Sequence, residues 1–252
     1  MAIAVIFPLV EPAYSRRGVT SGKPFAKVEN REVFLRSVEV YTRRDEVAQR
    51  IVVATPDDLE VMQERYSAHL AFQGVNIAGG TNEWFGCVER GIRRLEELEK
   101  SGGVICDTVI VHDPCCPAVA FTLIDALEAA LVENEDAAGV SPVLPSRSAF
   151  ADLEGRRISE YVDMAKVYEV QSPQIFRRKE LADAYARRGK NVFVDDAELM
   201  IEAGHKVVTV AGSRFNQRVD SEEMVRLAKD MIGHMPKPKS KTPLNPFGEA
   251  EW

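Results

Sequence analysis

The sequence predicts an α/β fold built on a mostly parallel, doubly wound sheet. Three observations predict it. Apolar runs of strand length alternate with amphipathic segments of helix length along most of the chain. The runs IAVIF at 3–7 and DTVIV at 107–111 read as strands covered on both faces. The 252-residue length, with 45% hydrophobic and 28% charged residues, suits one such domain, whose core needs neither disulfide nor metal.

Taken in order, residues 3–7 form the first strand and 30–41 a helix with Val33, Phe34, Val38 and Val40 on its apolar face. Residues 49–54 form a strand, closed by Thr55-Pro56-Asp57, a helix-start signal before a helix at 59–70. A short strand at 75–78 ends on Gly79-Gly80, and a helix at 87–100 carries a stripe of Val88, Ile92, Leu95 and Leu98. The strand at 107–111 is followed by a helix at 121–134 and a strand at 139–143. Residues 145–170 break the rhythm as an extended excursion turning near Glu154-Gly155. Helices at 178–188 and 195–203, a strand at 206–211 and a helix at 220–232, capped by Asp220-Ser221, complete a domain over 1–234. Residues 235–252, rich in Pro and Lys, read as a disordered tail or a partner-binding strap.

Charge and composition exclude several function classes. Thirty-two basic against 39 acidic residues give −7, a poor balance for nucleic acid, which needs a basic stripe. No apolar run reaches the roughly 18 residues of a membrane span. The opening MAIAVIFPLV lacks a basic flank and a small-residue cleavage site, and reads as a strand rather than a signal peptide. Cys87, Cys106, Cys115 and Cys116 fit no zinc spacing, which points to reduced thiols and a cytoplasmic address.

In open α/β sheets ligands bind beyond the carboxyl ends of the strands. After the first strand, residues 15–27 hold Arg16, Arg17, Lys23 and Lys27 and no acid, a local reversal of sign. Such a loop suits a polyphosphate, since each charge-assisted hydrogen bond is worth about 1.5–3 kcal/mol. It also reads as a solvated basic loop. After the strand at 107–111 comes His112-Asp113-Pro114-Cys115-Cys116-Pro117, whose carboxylate suits Mg²⁺ shared with phosphates or a plain turn aspartate. Asp195-Asp196 opens a helix, as a cap or as a contact to metal or substrate. Arg218, in Asn216-Gln217-Arg218-Val219-Asp220, is a surface charge or a second phosphate ligand.

Together these segments resemble the cytidylyltransferases that join 2-C-methyl-D-erythritol 4-phosphate to CMP in isoprenoid synthesis. The resemblance spans roughly residues 3–232. It is carried by Gly79-Gly80, HDPCCP at 112–117, Pro142 to Ser146, Gln171-Ser172-Pro173-Gln174-Ile175-Phe176, Val194-Asp195-Asp196-Ala197 and 216–220. It implies a Rossmann-like nucleotidyltransferase fold with a dimerisation arm at about 145–170, Mg²⁺ as cofactor, and CTP and a small phosphorylated acceptor as substrates. It implies Arg16, Lys23 and Arg218 as catalytic. Pro8, Leu9, Val10, Gly80, Thr81 and Cys87 are implied to bind the nucleotide. Asp113, Ser146, Asp195 and Arg218 are implied to bind substrate, with Asp113 also on the metal.

The chain departs from the family pattern in places. Leu9, Val10, Glu11 and Pro12 replace a glycine-rich opening. Proline has no N–H for a phosphate, and Glu11 repels one. Asn82, Glu83 and Trp84 stand where an arginine is expected, Cys87 stands for a serine, and Cys116 and Met164 stand for arginines that meet the acceptor. The reading is therefore a divergent cytidylyltransferase, with attack of the acceptor phosphate on the α-phosphorus of CTP. Its alternatives are transfer to another phosphorylated or sugar-like acceptor and an inactive paralogue serving as a dimeric interaction module.

Overall fold

A computed structural model describes residues 2–12 and 22–235. Arg16, Arg17, Gly18 and the tail beyond residue 235 lie outside the described residues. The first strand, β1 (Ile3–Leu9), is buried along its whole length. Its side chains explain why the sheet is covered twice. Ile3, Val5 and Phe7 face one apolar layer, while Ala4 and Ile6 face the other. The first layer holds α1 (Val33–Glu39), α3 (Ser67–Phe72) and α5 (Phe121–Glu133) through Phe34, Leu70 and Leu127. The second holds α4 (Trp84–Lys100), α6 (Arg178–Arg188) and α7 (Asp196–Glu202) through Val88, Leu181 and Leu199.

Parallel pairing joins β1 to β4 (Val47–Ala54) and to β6 (Thr108–Val111), and β4 to β5 (Val75–Gly79). Their carboxyl ends thus share one edge. At the other flank β7 (Gly139–Pro145) pairs in parallel with β12 (Val207–Ala211). One strand missed by the sequence pattern, β11 (Gln174–Arg177), lies antiparallel between β6 and β7. Four residues inside an apparent loop give too short a period to read. β10 (Tyr168–Val170) continues it along β7, and Gln171, Ser172 and Pro173 interrupt the pair, with a cis bond between Ser172 and Pro173. The interruption frees polar side chains at the heart of the sheet edge.

Two helical boundaries differ from the pattern. Residues 27–32 fold as a hairpin of β2 (Lys27–Val28) and β3 (Arg31–Glu32), with Glu29 and Asn30 at φ 50° and 64°, so α1 begins only at Val33. Asn is among the residues that tolerate this left-handed region. The helix expected at 59–70 starts earlier, as α2 (Pro56–Val61), because Thr55 caps Asp58 N–H and Pro56 fits the first turn. It reaches α3 through a π turn at Met62–Tyr66.

The excursion at 145–170 is an exposed hairpin of β8 (Ala151–Glu154) and β9 (Arg157–Tyr161), turning at Gly155. Leu153, Ile158 and Tyr161 are exposed on it. The last helix, α8 (Glu222–Gly233), is capped by Ser221. No helix among the described residues is long and apolar enough to cross a membrane.

Candidate active site

The carboxyl end of β6 delivers His112 and Asp113 into the sheet edge. His112 is buried, with Nδ1 on the Tyr41 hydroxyl at 2.9 Å and Nε2 on the Cys116 carbonyl at 3.0 Å. Burial pushes its pKa down to about 4, so the ring is neutral and serves as an anchor for the turn. Asp113 is 1% exposed. Its N–H donates to Ser172 Oγ at 2.7 Å, and its Oδ1 accepts from Cys115 N–H at 2.8 Å. The other oxygen, Oδ2, accepts from Arg218 Nε at 2.7 Å.

Arg218 stands between two carboxylates. Its Nη2 donates to Glu11 Oε2 at 2.9 Å, while Nη1 is buried and has no hydrogen-bond partner. Burial works against the guanidinium charge, but Asp113, with help from Glu11, outweighs it and raises the pKa further. The loop carrying Arg218 is pinned by the interruption between β10 and β11. Gln171 Nε2 donates to the carbonyls of Ser213 and Asn216, both at 2.9 Å, and Ser213 N–H returns a bond to Gln171 Oε1. Asn216 Nδ2 donates to the Ser172 carbonyl. Next along the chain, Val219 N–H donates to the Cys115 carbonyl at 2.8 Å, and Lys23 N–H to the Val219 carbonyl at 3.0 Å. Lys23 thereby sits beside Arg218 in the chain path, its ammonium 3.6 Å from Glu222 and partly exposed.

A second corner lies at the ends of β4 and β5. Gly80 N–H donates to the Ala54 carbonyl at 2.8 Å, and a Cβ there would fall 2.6 Å from Val53 and 2.7 Å from Cys87 Sγ, so the position needs glycine. Cys87 donates to the Thr81 carbonyl at 3.0 Å. Trp84 Nε1 donates to Asp196 Oδ2 at 2.8 Å, and the Tyr185 hydroxyl donates to Oδ1. Burial raises the Asp196 pKa to about 6 in spite of these donors. Asp195 caps α7 through Glu198 N–H and accepts from Gln174 Nε2 at 2.8 Å, and burial raises its pKa as well. A 40 Å³ cavity between Pro12, Trp84, Gln174 and Asp195 joins this corner to the loop after β1.

The structure thus brings together Asp113 and Arg218, and separately Gly80, Thr81 and Cys87. Pro8 and Leu9 are the last residues of β1, and the Leu9 side chain is in the core, while Val10 packs on the α4 layer. Ser146 lies at the root of the hairpin, its N–H on the Val167 carbonyl at 3.1 Å. Arg16 lies outside the described residues. Cys115 and Cys116 are buried, and burial raises both thiols, which suits packing rather than nucleophilic chemistry.

Sequence reasoning missed the pairing of Glu11 with Arg218. Glu11 opens a loop that is otherwise basic, which is a signal, but nothing in the spacing says which cation it meets. The corner of Trp84, Tyr185 and Asp196 was equally hidden.

As a metal ligand, Asp113 is a single carboxylate with both oxygens engaged, and no group of three or more acidic, His or Cys side chains converges among the described residues. The described residues thus offer magnesium a single carboxylate, and an ion held there would take its other ligands from phosphates and water. A cleft of 810 Å³ between Thr108, Val132, Arg177 and Arg178 opens at the start of β6, the end of that strand opposite Asp113.

The family described as IspD, 2-C-methyl-D-erythritol 4-phosphate cytidylyltransferase, matches residues 9–234. The enzyme of that name from Paraburkholderia phymatum is 30% identical over 224 residues, covering 87% of this chain and 92% of its own. The bifunctional enzyme IspD/IspF of the Wolbachia of Brugia malayi is 33% identical over 138 residues, 55% of this chain, which spans about a third (33%) of that longer protein. The crystal structure of 2-C-methyl-D-erythritol 4-phosphate cytidylyltransferase from Thermus thermophilus superposes with a TM-score of 0.70 at 24% identity, covering 92% of this chain and 98% of the other, a likeness of fold.

Proposed function

The chain belongs to the 2-C-methyl-D-erythritol 4-phosphate cytidylyltransferase family, and from that premise we propose that it transfers CMP from CTP to 2-C-methyl-D-erythritol 4-phosphate. A phosphate oxygen of the acceptor attacks the α-phosphorus, and the bond to the leaving pyrophosphate breaks. The observation that carries this reading is Arg218, a largely buried permanent cation fixed on Asp113 at the carboxyl edge of the parallel strands. A preorganised cation there stabilises charge developing on phosphoryl oxygens without reorganising during the reaction. Lys23 and Arg16 are assigned the same task from the loop after β1. Gly80, Thr81 and Cys87 are assigned to the nucleotide, where the glycine keeps a backbone edge open. Asp195 and Ser146 are assigned to acceptor hydroxyls.

Magnesium in this reading arrives as the counterion of CTP. The exposed Leu153, Ile158 and Tyr161 of the hairpin support pairing of two copies through this arm, since exposed apolar clusters mark association surfaces. Four buried, unpaired thiols support a reducing, cytoplasmic setting. Only the cytidylyl transfer is proposed, because the chain covers a minor part of the bifunctional relative.

The test is a coupled assay of pyrophosphate release with CTP and the acceptor, alongside thermal shift with CTP, UTP, ATP and GTP. Acceptor-dependent release and a CTP-selective rise in Tm are expected. A chain that neither releases pyrophosphate nor shifts with CTP at millimolar concentration overturns the proposal.

A further inference from the structure

Glu11 uses donors that suit a phosphate. Its Oε1 accepts the Gly22 N–H, and its Oε2 accepts Arg218 Nη2 at 2.9 Å. A backbone N–H on a glycine beside a guanidinium is the donor pair that proteins turn on phosphoryl oxygens. The place is closely fitted. A Cβ on Gly22 would lie 2.5 Å from Arg218 Nη2, 2.7 Å from Cys115 Sγ and 2.9 Å from Glu11 Oε1, so any side chain here would displace members of the cluster.

Two observations mark Glu11 as the exchangeable member of the cluster. The side chain of Asp113 is 2% exposed and that of Arg218 11%, against 34% for Glu11. Glu11 is therefore the most solvent-exposed member of the cluster, the one an incoming ligand reaches first. Second, Arg218 Nη1 is buried without a hydrogen-bond partner. A carboxylate with one oxygen on Gly22 and one on Nη2 leaves it unserved. A phosphoryl group has three oxygens, one for Gly22 and two for the guanidinium fork.

We propose that Glu11 holds, in the free protein, a phosphoryl-binding position made by the Gly22 amide and the Arg218 guanidinium, and that the phosphate of an incoming substrate displaces it. That the phosphate belongs to CTP or to the acceptor rests on the function proposed above. The position itself rests on the donors alone. Glu11 then lowers affinity for anions: it excludes weakly held phosphates and lets go only to a group that also satisfies Nη1.

The test is calorimetric titration of the full chain and of Glu11→Gln with pyrophosphate, inorganic phosphate and CTP. Glutamine keeps the shape and removes the charge. Tighter pyrophosphate binding by about two- to fivefold is expected, the scale of removing one modest competing ion pair. If inorganic phosphate gains more than pyrophosphate, the position serves the acceptor's monophosphate. The reverse assigns it to the nucleotide. Unchanged or weaker binding of both anions shows that Glu11 is a fixed strut and overturns the inference. A second measurement needs no variant: in wild-type chain labelled with ¹⁵N-glycine, the Gly22 amide resonance moves at saturating pyrophosphate. An unmoved Gly22 resonance overturns the inference as well. Pyrophosphate binding that tightens while CTP binds neither protein upholds it and sinks the nucleotide reading instead.

Discussion

Asp113 and Asp196 sit at the same edge of the sheet, each 1% exposed, and the protein keeps each one in a different way. Asp113 is met by a charge, Arg218, and by the Cys115 N–H. Asp196 is met by neutral donors, the Trp84 indole and the Tyr185 phenol. A buried carboxylate facing only dipoles is pushed toward its proton, and Asp196 rises to about 6. At Asp113 the partner is instead a guanidinium, a cation that must itself be kept paired. The difference teaches that one corner is built to hold charge and the other to hold shape.

The largest expected effect comes from breaking the charged corner. Arg218→Met leaves Asp113 buried opposite an apolar side chain, and removing one partner of a buried pair costs about 3–5 kcal/mol. The denaturant midpoint of the variant is expected to fall accordingly. Pyrophosphate release is expected to drop by about a hundredfold or more, on the scale of losing one group that stabilises the transition state. A variant as stable and as active as wild type would erase the distinction between the corners.

The neutral corner is expected to show itself through pH. The Asp196 pKa moves from 3.8 to about 6 on folding. The folded state therefore holds the proton more tightly, and this group's contribution to stability falls as pH rises from about 4 to about 6. His112 moves the opposite way, from 6.5 to about 4, so its contribution grows with pH over nearly the same window. Each shift of roughly two units corresponds to about 3 kcal/mol at most, and the two oppose each other. Asp196→Asn removes one side. The variant is expected to gain on wild type as pH goes from 4 to 7, by up to about 3 kcal/mol, in urea midpoints taken at both ends. A difference that does not change with pH would mean that Asp196 is ionised throughout, like an ion-paired acid.

How much of this was legible in the sequence follows from the same contrast. The doubly wound frame was readable because Ile3 to Phe7 and Val109 to Val111 are apolar on both faces, a local signal. Asp113 and Arg218 were each readable as strand-end residues, and the structure puts them in contact although 105 positions separate them. Their pairing carries no spacing signature, and neither does Trp84 with Asp196, 112 positions apart, or Glu11 with Arg218, 207 apart. β11 escaped because Gln174 to Arg177 is short and its antiparallel pairing depends on β6 and β7 already being in place. Loop chemistry can be proposed from composition, whereas which charge meets which is decided by the fold.

The smallest expected effect separates the backbone of the charged corner from its side chains. Ser172 Oγ accepts the Asp113 N–H at 2.7 Å, and the Ser172 carbonyl accepts from Asn216. Ser172→Ala removes only the first bond, a neutral one worth about 1 kcal/mol. The Asp113 carboxylate and Arg218 keep their ion pair, so the charge at the site is unchanged and only its aim relaxes. Stability is expected to fall by that amount, while pyrophosphate release falls by a few-fold, the scale of about 1 kcal/mol in a barrier, and KM for CTP stays near wild type. If kcat is unchanged and only stability moves, the Asp113 backbone is a structural tether like the cap at Asp195. If kcat falls with KM held, Ser172 is a positioning residue for the Arg218 cluster, and the frame around the charge matters as well as the charge itself.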